Sequence, residues 1–209
     1  MKLIRIALKY CKKIVCILLI MLMIATPGKA FANENYKIDI DTRENLLKQA
    51  QVVNWKEFDR IMYLGSRFIV VDYKTGVFWI AERHMGGYHA DIETIDKQST
   101  AAKNSLKNDS ENWRHRPVLI VFEDGRVYCA SSFIVDHCGR DDKPFLKKNT
   151  PNCSGGYGTN TNYDKIKGNG QDGHNCVHVR SSKNHYNGKE SKQHQKNIDY
   201  LEREKSRLS

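Results

Sequence analysis

The spacing of apolar and polar positions changes character near residue 66. Upstream, "DTRENLLKQAQVVNWKEF" (41–58) sets Leu46, Leu47, Ala50 and Val53 at helical intervals behind Asp41 or Thr42 as the cap, which predicts a helix. Downstream, "RFIVVDY" and "VFWIAER" flank "KTG" (74–76), the pattern of a β-hairpin. "GGYHADIETI" follows, its glycines allowing a sharp turn ahead of His89. Asp96 to Asn108 reads as a polar helix. "RPVLIVF", the turn "EDG" (123–125) and "RVYCASSF" predict a buried strand and its return. Trp79 in its strand, and Trp113 with Pro117, read as core.

The periodicity lapses over 136–170, where Gly, Asn and Lys surround Pro151 and two cysteines. A segment this long without its own periodicity is expected to be a lid or a disordered excursion. The strand "NCVHV" comes next, and Glu190 to Ser206 closes the chain as a basic, polar helix. The expected class is α+β, dominated by antiparallel strands with flanking N- and C-terminal helices, and no internal repeat is visible.

The N-terminus alters the charge balance. Lys2, Arg5, Lys9, Lys12 and Lys13 precede "IVCILLIMLMIA" and then "AFA" (30–32), the layout of a secretory signal peptide over 1–32. The apolar run is shorter than the ~18–20 residues that span a bilayer, so no stable membrane anchor is expected after cleavage. What remains is an N-terminal helical segment (33–54) and one domain (55–205). Cleavage removes six basic residues and no acid, leaving 28 basic against 24 acidic residues, a net +4 instead of +10. That excess argues against a nucleic-acid partner. Export leaves Cys129, Cys138, Cys153 and Cys176 in an oxidising compartment. Cys138 and Cys153 share the excursion and are spaced to close it as a disulfide; Cys129 reads as a buried small hydrophobe.

The densest chemistry lies in "GHNCVHVRSSKNH" (173–185). Alternation places His174, Cys176 and His178 on one side of a strand. As a metal site, Cys176 pairs with either histidine, but the two histidines lie ~13 Å apart at Cα. Further zinc ligands would have to come from His89, Asp91 or His137. As a nucleophile, Cys176 needs only one imidazole within reach. Gly173 would let a substrate approach the backbone, and the amides near Asn175 and Cys176 are candidate oxyanion donors. His137, just after a strand end, is a candidate base, and His89 is spaced for orientation by Asp91. His84 and His115 read as solvated; His185 and His194 read as capping or packing residues.

From about Trp55 to Leu201 the chain resembles a largely uncharacterised family of secreted domains from spore-forming Gram-positive bacteria. The shared elements here are "DYKTG" (72–76), "HAD" (89–91), "WRHRPV" (113–118), "CASSF" (129–133), "DHCG" (136–139), "GHNCVHV", "SKNH" (182–185) and "HQ" (194–195). More distantly, the layout is similar to L,D-transpeptidase catalytic domains, cysteine enzymes whose signature is an upstream His-Gly followed by Ser-His-Gly-Cys-(Ile/Val)-Arg. The chain departs from it at Gly173, Asn175, His178 and Cys138. The resemblance implies an antiparallel β-sandwich-like catalytic domain with Cys176 as nucleophile, His174 two before it and His137 as upstream base. His178, Asn175, His89, Asp91 and His185 are then candidates for substrate binding. The implied partners are peptidoglycan stem peptides or the cell wall, with no cofactor. A zinc-dependent wall peptidase or amidase and a non-catalytic wall-binding module are the alternatives.

Overall fold

The computed structural model describes residues 36–108 and 114–209. The signal-peptide expectation and Trp113 lie outside these residues. Helices α1 (Ile40–Gln49) and α2 (Trp55–Ile61) precede strands β1 (Arg67–Asp72), β2 (Phe78–Met85) and β3 (Ala90–Thr94). Helix α3 (Lys97–Ser105) leads to β4 (His115–Val121) and β5 (Val127–His137). A small hairpin, β6 (Thr150–Cys153) and β7 (Gly158–Asn160), precedes β8 (His174–His178) and α4 (Lys192–Leu208). None of the described helices is long and apolar enough to cross a membrane.

The six long strands close into an antiparallel barrel in the order β1-β2-β3-β8-β5-β4. The fold is therefore a mixed, strand-dominated one, but a closed barrel stands where the resemblance to L,D-transpeptidase domains implied a sandwich. Closure follows from β1 pairing with both β2 and β4, so neither forms a free edge. Strand alternation fills the interior with Phe68, Val70, Trp79, Ile92, Ile120 and Val177, joined by Phe58 and Met62 from α2. The opposite faces of β1, β2, β4 and β5 bury Ile69, Val71, Ile80, Leu119 and Cys129 beneath Leu46 and Leu47 of α1 and Leu201 of α4.

The long helix expected over 41–58 is two helices. Asp39, not Asp41 or Thr42, caps the first by accepting from the Thr42 amide. Between them Gln51 bonds to Val127 and Cys129, extending the chain along the barrel, and Asn54 caps α2. The excursion is also ordered, held by buried polar side chains instead of an apolar stripe. Asn162 donates to the carbonyls of Arg140, Lys143 and Pro144. Glu93 on β3 accepts the amides of Lys165 and Ile166 at 2.8 and 2.7 Å. Burial pushes the Glu93 carboxyl up to about 8, against the pull of those two amides.

Candidate functional site

β8 runs between β3 and β5, and its register sets Cys176 directly beside Asp91 on one side and Phe133 on the other. Partners in a ladder share a face, so all three point out of the barrel. Continuing the register sets His89 beside His178, and the rings stack at 4.2 Å between centroids. The outer wall thus carries His89, Asp91 and Glu93 on β3 and its approach, and His178, Cys176 and His174 on β8.

On β5, four residues from Phe133 to His137 span two of β8, so His137 meets His174. This slip re-aims a side chain, as bulges beside active sites do. Inside it, His137 Nδ1–H donates to the Val135 carbonyl at 2.8 Å. The neutral ring then presents its Nε2 lone pair to Cys176 Sγ at 3.5 Å. Burial lowers the His137 pKa, keeping the ring neutral and its Nε2 free to accept a proton. Burial pushes the Cys176 thiol well up, and the Asp91 carboxylate, with Oδ1 3.8 Å from Sγ, pushes the same way. The resting pair is therefore a neutral thiol and a neutral imidazole.

Asp91 is the centre of charge. Burial alone would raise its carboxyl, but the hydrogen bond from His185 and the histidine rings gathered around it outweigh burial and hold it ionised. His89 Nε2 lies 3.2 Å from Oδ1, His174 Nε2 3.8 Å from Oδ1 and His185 Nε2 3.5 Å from Oδ2. Burial takes His174 down to about 3, so near neutral pH it contacts Asp91 as an uncharged ring.

Of the residues singled out in the sequence, Cys176, His174, His137, His89, Asp91 and His185 converge. His178 joins them but is clamped between His89 and His194, whose ring lies parallel at 3.8 Å. Asn175 does not join them: it lies on the opposite face of β8, against Ser132 and Gln171. β8 is paired along both edges, which engages the Asn175 and Cys176 amides in ladders rather than leaving them for an oxyanion. Gly173 does not admit a substrate either. Its φ is +85°, and a Cβ there would lie 2.1 Å from the His137 carbonyl oxygen, so the glycine admits the chain's own backbone. A Gly173→Ala protein is expected to lose roughly 1–3 kcal/mol of stability through this strain, read by denaturant melts.

Cys138 and Cys153, expected to bridge, are free thiols here. Cys153 Sγ is turned to the Thr150 and Asn160 carbonyls at 3.4 and 4.0 Å, while burial lifts Cys138 to about 12 against a hydrogen bond with Tyr157. His84 is not solvated: it is buried with Nε2 3.3 Å from Glu93 Oε1 and its ring against His174. His115 is half-buried against Phe133 and His194.

Tyr157, at the tip of the β6–β7 hairpin, was not legible as a site residue. Its half-exposed ring stacks on His137 at 5.8 Å, and Gly155 beside it lies so close that a Cβ would be 2.6 Å from His137 Cβ. The cluster of Gly155, Gly156 and Gly158 around one tyrosine is the sequence signal that marks it. The other missed signal is Glu93, which continues the alternation His89, Asp91 onto the same face.

The fold and site define a closed antiparallel β-barrel bearing a Cys–His–Asp cluster on its outer wall beneath an ordered excursion. Comparisons with protein-family models, curated proteins and solved structures each return no match.

Proposed function

We propose that the protein is a secreted cell-envelope enzyme that uses Cys176 for acyl transfer or hydrolysis on peptidoglycan stem peptides. The observation that carries the chemistry is the His137 Nε2 lone pair aimed at Cys176 Sγ, its tautomer set by the Val135 carbonyl. The substrate class and compartment rest on the resemblance to L,D-transpeptidase domains and on the signal-peptide pattern.

Because both partners rest uncharged, the thiol is activated as it attacks, not beforehand. Sγ adds to a peptide carbonyl carbon while His137 Nε2 takes its proton. The tetrahedral intermediate collapses, the C–N bond breaks, and the departing amine takes that proton from His137. An incoming amine or water then gives His137 a proton as it attacks the thioester carbonyl; the C–S bond breaks, and the departing sulfur takes that proton back from His137, restoring the neutral thiol and imidazole. Cys176 is buried and the half-exposed Tyr157 ring stacks on His137, so a substrate has to displace side chains around the pair to reach the thiol.

The test is covalent capture of the acyl-enzyme by a carbapenem-like probe, read by intact-protein mass. Wild type is expected to gain one adduct, and Cys176→Ala none. A wild type inert to every acylating probe would sink the proposal.

A further inference from the structure

The Cys176–His137 pair leaves a second group on the same wall without a role. His89, Asp91 and His185 bring two ring nitrogens and a carboxylate oxygen within 4.8 Å of one another. His89 Nδ1–H donates to the Lys183 carbonyl at 2.8 Å, which places the neutral ring's lone pair on Nε2. That nitrogen is buried without a hydrogen-bond partner and faces Asp91 Oδ1 at 3.2 Å. Two electron-rich atoms are thus turned towards each other, an arrangement that a cation between them satisfies. His185 Nε2 approaches the other carboxylate oxygen at 3.5 Å. A histidine anchored through one N–H to a carbonyl, with its second nitrogen aimed at a shared centre, has the outer-shell support typical of a metal ligand.

We propose that His89 Nε2, the Asp91 carboxylate and His185 Nε2 form a binding site for a divalent transition metal, with zinc best matched to the donors. Two imidazoles and a carboxylate leave coordination positions for water or substrate. The His185 side chain is 52% exposed, so the ion has a route from solvent. The two rival groups, His137–His174–Cys176 and His89–Cys176–His178, are buried throughout. The first would take the His137 nitrogen that faces the thiol, and the second would use His178, held between two rings. The Asp91 site leaves the thiol free, with Sγ 3.8 Å from Asp91 Oδ1.

The metal's catalytic role rests on the proposed acyl chemistry; its binding does not. With the β8 amides engaged in ladders, an ion at Asp91 supplies the electrophile for the oxygen of the carbonyl that Cys176 attacks.

Zinc and cobalt(II) titrations of the mature protein, by calorimetry and optical spectroscopy, test the site. One equivalent is expected to bind wild type and Cys176→Ser alike. His185→Ala, with folding verified by circular dichroism, is expected to weaken binding at least about 100-fold, the upper end of what losing even an outer-shell partner costs. A cysteine-to-cobalt charge-transfer band would overturn the assignment, as would sub-stoichiometric binding to wild type or unchanged affinity in His185→Ala. Adduct formation on Cys176 is followed in the same samples. Absent metal binding with intact acylation overturns the metal site alone; intact binding with no acylation overturns the nucleophile alone.

Discussion

Replacing His137 with alanine is expected to slow acylation of Cys176 by about 10²- to 10⁴-fold, the usual contribution of a positioned general base. The size of the effect follows from the resting state. Burial and the Asp91 carboxylate both oppose the thiolate, so there is no standing population of ionised sulfur to react unaided. In the proposed mechanism the Nε2 lone pair, 3.5 Å from Sγ, removes the proton during attack. The same geometry fixes the pH dependence. Burial lowers the His137 pKa below its ordinary 6.5, so the ring remains a base until the pH falls beneath that value. Wild-type acylation should therefore lose rate on an acid limb below pH 6.5, where the ring takes up a proton and can no longer accept one. His137→Ala should lack that limb. A limb that survives the substitution would assign the base to another group.

Replacing Asp72 with alanine is expected to destabilise the fold by about 3–5 kcal/mol, the range for removing one partner of a buried ion pair. Asp72 accepts from Arg116 Nε and Nη2 at 2.7 and 2.8 Å, with both side chains buried. It also accepts from the Thr75 amide and hydroxyl at 2.8 and 2.7 Å, closing the β1–β2 turn. The "DYKTG" and "RHRPV" elements are thus tied together as a structural clasp away from the thiol. Urea unfolding would measure the loss. The folded fraction should still acylate Cys176 at the wild-type rate, which separates this clasp from the site.

The strands were legible because each long apolar run follows one periodicity from end to end: β1, β2, β4 and the start of β5 coincide with sequence runs between turn residues. Barrel closure was not, since it depends on which strands pair, and β1 carries nothing in its own pattern that selects β4 as a second partner. The excursion was opaque for a different reason. Asn162, Asp164, Asn169 and Gln171 are buried through hydrogen bonds, and a hydrophobicity pattern registers such residues as solvated. Within the site, the alternation of His174, Cys176 and His178 correctly placed the three on one face. The ~13 Å between the outer two also anticipated that each histidine would group with Cys176 separately. Alternation also foretells that Asn175 turns away, although the family pattern drew it into the site. The slip in β5 that brings His137 back onto Cys176 has no local signature, because register belongs to a pair of strands.

The central claim is that Cys176 is a nucleophile served by His137, and peptide mapping of the acylated protein tests it most directly. After exposure to a carbapenem-like probe, the account predicts one adduct on the peptide containing Cys176, none on Cys129, Cys138 or Cys153, and sharply slowed formation in His137→Ala. An adduct on another cysteine, or equal rates in wild type and His137→Ala, would contradict it.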